Sequence, residues 1–349
     1  MTQGFYFLSH GPGVPKLDTA GGDVERAAAA RAELETVLAS ADAETAETLR
    51  AFLATSAGDH LLRAVLAHSS FLSRCIFADP EGLCDLVTRG PDGALKACIR
   101  DVATQAMAQP DRDSCMAALR RARRRVALGT ALADMTGIWD LDEVTETLTA
   151  FAEAAIDAAL GFLLRQANAR GDLVLPDPDS PQTGSGIAVL GMGKLGAREL
   201  NYSSDIDLIV IHDPEVVPYH GRKDVEHFCV RVTRDLVRLL EDRTRDGFVA
   251  RVDLRLRPDP AAMPVAIPFG TAEVYYESQG QNWERAAMIK ARACAGDSEV
   301  GAAFLKTLRP FVWRKHLDFW AIQDVHSIKR QIYAHRGGST VQVAGHNIK

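Results

Sequence analysis

The sequence predicts an α+β protein: a helical N-terminal region, then a small mixed-sheet domain, then further helices at the C-terminus. Three observations predict it. From about Asp23 to Ala167, apolar residues recur at helical spacing in a background of Ala, Leu, Arg and Glu. Between Ile187 and Asp259, short apolar or alternating runs flank one amphipathic helix. Helical spacing then resumes in "AEVYYESQGQNWERAAMIKARACAGD" and in "DVHSIKRQIYAHR". A length of 349 residues suits two or three domains. We divide the chain into a flexible N-terminus (1–22), a helical region (23–167), a linker or surface hairpin (168–185), a mixed-sheet domain (186–300) and the start of a second helical region (301–349).

In the first region the stretches "AETAETLRAFLATSAGDHLLRAVLAH" and "DLDEVTETLTAFAEAAIDAALGFLLRQA" carry the helical period, "DPEG" and "RGPDG" break it, and Asp140 or Asp142 suits an N-cap. The run "LRRARRRVALG" reads as a helix whose arginines line a solvated face. In the mixed domain "IAVLG" and "DIDLIVIHD" read as strands, and "GFVARVDLRLRPD" as a third with strict alternation. Between the second and third, Val225, Phe228, Cys229, Val232, Leu236, Leu239 and Leu240 form the single apolar stripe of a helix that packs on a sheet.

A composition of 47% hydrophobic, 25% charged and 7% aromatic residues excludes disordered and fibrous classes. The net charge of −6 and sparse aromatics speak against a nucleic-acid track. No basic segment precedes a long apolar core at the N-terminus, and no run of about 18 apolar residues occurs. We therefore expect a cytoplasmic protein with no membrane span. The six cysteines, Cys75, Cys84, Cys98, Cys115, Cys229 and Cys294, form no C-x-x-C pair and read as reduced thiols. The ten histidines show no metal-ligand spacing.

The stretch "VLGMGKLGARELNYSSDIDLIVIHD", Val189 to Asp213, carries the chemistry. Its Gly191, Gly193 and Gly196 spell the dinucleotide fingerprint G-x-G-x-x-G. The helix that follows would have only Leu195 and Leu200 as anchors, and the next strand would open on two acids, which a buried parallel sheet does not accept. A Walker loop fails because Ala188 and Leu195 stand where it needs glycine and a hydroxyl. The acids themselves are the better reading. Along a strand Asp205 and Asp207 project to one side, and Ile206, Leu208 and Val210 to the other. Two converging carboxylates repel unless a cation joins them, and oxygen ligands of this kind suit Mg²⁺. The upstream turn offers backbone N–H groups and Lys194 for phosphates.

A third carboxylate from a neighbouring strand would complete such a site, and "RVDLRLRPD" supplies Asp253. Alternation puts Arg251, Asp253, Arg255 and Arg257 on one face, either as a structural ion-pair ladder or as a metal ligand flanked by phosphate-binding guanidiniums. Ser203 and Ser204 suit either a turn or a phosphate contact. In "WERAAMIKAR", Trp283, Met288 and Ala291 share a core face, while Glu284, Arg285, Lys290 and Arg292 form either a solvated face or a charged cluster at the cleft, with Lys290 as its phosphate candidate.

Gly193-Lys194, ten residues, then Asp205-Ile-Asp207 and a later Asp253 resemble the nucleotidyltransferase superfamily of the polymerase β type, whose pattern has Gly-Ser at the turn. "GMGKLGARELNYSSDIDLIV", "RVDLRLRP" and "WERAAMIKARACAGD" together resemble the glutamine synthetase adenylyltransferase family, bifunctional enzymes with two such domains in tandem. The likeness covers most of the chain, "FLSRCIFADPEGL" included. "RELNYSSDID" with "WERAAMIKAR" is similar to the N-terminal, adenylyl-removing half. The resemblance implies a piece that lacks the transferase half and part of its own domain. It also implies a nucleotidyltransferase-like catalytic domain over 186–300 that removes AMP from a tyrosine of glutamine synthetase by phosphorolysis, giving ADP. Asp205, Asp207 and Asp253 would be catalytic and hold Mg²⁺. Gly193, Lys194, Ser204, Arg255, Arg257 and Lys290 would bind nucleotide or phosphate. The implied partners are adenylylated glutamine synthetase and a PII-type signalling protein. The alternative is a non-catalytic regulatory module that binds nucleotide or effector and docks a signalling protein.

Overall fold

The computed structural model describes residues 5–9 and 24–313. Most of the 1–22 terminus, the helix expected at 324–336 and the rest of 314–349 lie outside the described residues. Among the described residues eight helices build the first half: α1 (Tyr6–Ser9), α2 (Val24–Ser40), α3 (Ala43–Leu53), α4 (Ser56–His68), α5 (Ser70–Ala78), α6 (Pro80–Met107), α7 (Arg112–Met135) and α8 (Leu141–Ala169). Their starts are written in the sequence. Asp42, Thr55, Ser69, Asp79 and Asp111 each accept a hydrogen bond from the backbone N–H three residues on. Asp140 forms a full capping box with Glu143 at the head of α8. Each such cap contributes about 1 kcal/mol.

The "RGPDG" break is a kink inside α6 rather than a loop. Gly90 takes φ +77°, and a Cβ there would meet the Tyr6 ring at 2.5 Å. Helix α8 is apolar and long enough, at 29 residues, to cross a membrane by composition alone. Its Ala152, Ala155, Ile156, Ala159, Leu160 and Leu164 are instead buried in the protein core.

The second half begins with β1 (Ile187–Gly191), the one-turn α9 (Gly193–Gly196), β2 (Ile206–His212) and α10 (Val225–Glu241). It continues through β3 (Val252–Asp253), β4 (Ala266–Pro268), α11 (Phe269–Ser278), α12 (Asn282–Met288), β5 (Arg292–Gly296), α13 (Ser298–Thr307) and α14 (Arg309–Val312). Strand β1 is central and antiparallel to both β2 and β5. Strands β3 and β4 lie parallel to β2, one beside each half of it. Antiparallel pairing of the first two strands rules out the dinucleotide fold, whose βαβ unit is parallel. The protein is α+β, as the sequence predicts.

Strand alternation splits the core into two layers. Ile187, Val189, Leu208 and Val210 join the helical half and the α10 stripe. Ala188, Leu190, Ile209 and Ile211 face Ile267, Tyr276, Met288, Val300, Phe304 and Phe311 from the C-terminal elements. A sheet covered on both faces explains why β1 from Ile187 to Leu190 and β2 from Leu208 to Ile211 are apolar at every position.

Four local expectations need correction. The third strand is two residues long, because the chain turns after Asp253, so its alternation does not carry Arg255 and Arg257 along one face. "RACAG" is strand β5, not helix. Segment 168–185 is packed down: Leu173 and Leu175 are buried and the Gln182 amide donates to Asp157. The arginine run is not a solvated face. Arg120 is 0% exposed, its guanidinium donating to the carbonyls of Met116, Leu239, Asp242 and Gly247. Arg124 pairs with Asp246 at 2.8 Å and Arg125 with Asp79 at 2.5 Å, which leaves Arg121 exposed. Those arginines fasten α7 to the end of α10 and to the head of α6.

The six cysteines are free, and burial pushes those of Cys98 and Cys229 up to about 11 and about 12, which keeps them protonated.

Candidate functional site

Asp207 is the second residue of β2, and its neighbour in the parallel pairing with β3 is Asp253. Adjacent parallel strands run about 4.8 Å apart, so the two carboxylates leave the sheet side by side. Asp205 ends the loop one step earlier. Arg251 fixes that loop by donating to the Asp205 carboxylate at 2.5 Å and to the Ser203 carbonyl at 2.6 Å. Ser203 has φ +53°, the strained turn that brings the chain into β2.

The charges here are unequal. Burial first, then the charges of Asp253 and Asp205, raises the pKa of Asp207, with Arg255 and Lys194 opposing. The bidentate Arg255 guanidinium, at 2.6 to 3.0 Å, holds Asp253 below the usual carboxylate range. A site that pushes neighbouring carboxyl groups in opposite directions is one built for charge work.

The glycine turn stands over Asp207. Gly193 has φ +52°, and a Cβ there would lie 2.5 Å from Asp207 Oδ2. Only glycine permits both the backbone and the approach. The turn is held from below by Arg292, which donates to the carbonyls of Leu195 and Gly196 and pairs with Glu153 of α8. The sequence reading placed Arg292 on a helix and missed this role; a strand there would have put it beside the turn. Lys194 is exposed and makes no ion pair among the described residues.

The remaining predicted residues divide. Ser204 sits half-buried at the entry to β2, its N–H donating to Asn201. Arg255 stands at the site, with Nη1 free of hydrogen bonds among the described residues. Arg257 turns away and donates to the carbonyls of Leu254, Pro260, Met263 and Pro264, so it braces the loop and offers no edge to a phosphate. Lys290 pairs with Glu199 at 3.0 Å. In α12, Met288 is buried but Trp283 is 40% exposed, while Glu284 is 2% exposed, accepting from the Tyr275 hydroxyl and the Gln281 N–H. The "WERAAM" polar residues are thus neither a solvated face nor a cluster at the acids.

The carboxylates of Asp205, Asp207 and Asp253 offer hard oxygens of the kind a divalent cation takes, and half-buried Asp207 is the one of the three without an ion pair among the described residues. As they stand, no group of three or more His, Cys, Asp or Glu side chains among the described residues is arranged so as to hold a metal ion. Arg251 and Arg255 occupy the outer two acids, so an ion would enter on Asp207 and exchange with those guanidiniums. Gly193→Ala tests the cradle. The added methyl displaces the Asp207 carboxylate, and we expect Mn²⁺ affinity to fall at least about tenfold, as loss of about 1.4 kcal/mol of binding requires; titration by electron paramagnetic resonance reads it.

The protein is thus α+β, with a glycine turn above Asp207 and a second acid, Asp253, beside it on the adjoining strand. The family model for glutamate-ammonia ligase adenylyltransferase matches residues 60–307. The chain is 48% identical over 315 residues to a bifunctional glutamine synthetase adenylyltransferase/adenylyl-removing enzyme of Bradyrhizobium diazoefficiens, covering 90% of this chain and 32% of that protein. Proteins of the same description from Brucella suis (48% identity, 94% of this chain, 33% of the relative) and Rhizobium meliloti (56%, 69% and 24%) are similar to it as well. The chain belongs to the glutamate-ammonia ligase adenylyltransferase family. It spans about a quarter to a third of the length of these curated relatives.

Proposed function

We propose that the chain carries a nucleotidyltransferase domain of the polymerase β type that removes AMP from a tyrosine of glutamine synthetase, with phosphate as the attacking group. The relatives' names describe both adenylyl addition and adenylyl removal; the wording of "RELNYSSDID" and "WERAAMIKAR" favours removal. The observation that carries the reading is the register of Asp207 on Asp253 beneath Gly193. Asp205, Asp207 and Asp253 would hold Mg²⁺, which supplies charge neutralisation at the phosphorus when bound. Lys194 and the N–H groups of the Gly193 turn bind the phosphate of AMP, and Arg255 receives the incoming phosphate through Nη1. A phosphate oxygen then displaces the tyrosine oxygen in line: the P–O bond to tyrosine breaks, a P–O–P bond forms, the departing phenolate takes up the proton that the attacking phosphate gives up, and ADP and free tyrosine leave. Asp253, kept ionised by Arg255, orients the attack. This reading makes the protein a cytoplasmic enzyme of nitrogen metabolism, with glutamine synthetase as substrate and a PII-type protein as regulator.

The test incubates the chain with adenylylated glutamine synthetase, Mg²⁺ and phosphate. ADP is the expected product. AMP would mean that water attacks and would remove phosphate from the scheme, and absence of product from folded protein would favour the regulatory module.

A further inference from the structure

Between the helical half and the end of the sheet lies a cavity of about 360 Å³, on the opposite side of β2 from the acids. Its walls are apolar, with Phe71, Leu148, Phe151, Ile206 and Phe248 among them. One cation enters it. The Arg123 guanidinium lies 5.3 Å from the centre of the Phe71 ring and 5.1 Å from that of Phe248. Two ring faces hold the plane of the guanidinium but satisfy none of its N–H donors. Arg124 and Arg125, its neighbours, have carboxylate partners; Arg123 has no hydrogen bond or ion pair among the described residues. The one carboxylate on the wall, Asp134, accepts from the Tyr202 hydroxyl at 3.2 Å. Burial, and then repulsion by the Arg251 guanidinium, lowers the Arg123 pKa, while the nearby Cys75 thiol is kept neutral by its own burial. Arg123 is half-buried, and a rigid fork with idle donors beside an apolar wall is suited to receive a carboxylate. The volume falls at the low end of the 300–1,000 Å³ range of small-molecule sites.

We infer that this cavity binds a small molecule with an apolar, ring-sized body and a single carboxylate, the carboxylate seated on the edge of Arg123. The site is separate from the acids, yet it shares Ser203 and Ser204 with the loop that delivers Asp205. Its apolar lining rejects polar phosphates and nucleotides, and its one cation matches one anionic group.

Isothermal titration of the full chain with 3-phenylpropionate, beside its neutral amide 3-phenylpropanamide, tests the inference. The acid binds saturably and the amide at least about tenfold more weakly, the worth of one charge-assisted pair. Arg123→Gln erases that preference. Ala131→Phe, which fills the cavity and leaves Arg123 in place, weakens both ligands. Thermal melts establish that each variant is folded, and should Arg123→Gln fail to fold, Ala131→Phe decides alone. Equal affinity for acid and amide, no binding of either, or acid binding that survives Arg123→Gln or Ala131→Phe overturns the inference.

Discussion

Asp207→Asn forms ADP from adenylylated glutamine synthetase at about a thousandth of the parent rate, the cost of losing about 4 kcal/mol of charge stabilisation at the transferred phosphorus. The same substitution makes the metal-free protein more stable at neutral pH. The sign follows from the raised pKa of Asp207. In the unfolded chain the group titrates near 3.8, and in the folded protein above that. Through the window between the two values the folded state binds more protons than the unfolded state, so stability falls as pH rises, and the penalty is complete above the folded value. Asparagine carries no such charge. A divalent ion at about 100 times its dissociation constant offsets the penalty by about 2.7 kcal/mol in the parent protein and not in the variant. Melting curves with and without Mg²⁺ check this: the variant melts higher without metal, and the order narrows or inverts when Mg²⁺ is added. A melting temperature lower than the parent's without metal would show that the carboxylate is satisfied by protein groups alone.

Arg120→Met loses about 3–5 kcal/mol of stability by urea denaturation, among the largest effects expected of any single site in the helical half. Methionine matches the stem but leaves the carbonyls of Leu239 and Asp242 without that donor, at about 1–3 kcal/mol each where water cannot reach, whereas the Gly247 carbonyl keeps the Thr244 N–H. The gain from no longer burying a cation offsets part of that sum. Exposed Arg121→Met is the control and should change stability by no more than about 0.5 kcal/mol. A loss below about 1 kcal/mol at Arg120 would mean that water replaces the guanidinium at those carbonyls.

What the sequence made legible follows from how local each signal is. The Asp140 cap, the α10 stripe and the strands β1 and β2 depend on neighbours within one turn or one pleat, and they read directly. The adjacency of Asp207 and Asp253 could be posed because D-x-D on one strand calls for an acid on the next; the register itself is a long-range fact. Misreadings came where tertiary partners override local pattern. The alternation of "RVDLRLRP" suggested a long strand, but Arg257 finds four carbonyls in a turn and ends it. "RACAG" has small residues without β preference and becomes a strand because β1 needs a partner on its second edge. Arg120 and Arg123 looked like surface charge because nothing near them in sequence announces the carbonyls of α10 or the rings of Phe71 and Phe248. Arg292 and Glu153, 139 residues apart, hold the glycine turn by a contact that no short motif encodes.

The central claim is that Asp207 and Asp253 jointly receive a divalent cation at the end of β2 and β3. Mn²⁺ titration followed by water proton relaxation, with the parent chain, Asp207→Asn and Asp253→Asn, tests it most directly. The account predicts saturable enhancement in the parent chain and its loss in both variants. Enhancement that persists undiminished in Asp207→Asn would contradict it.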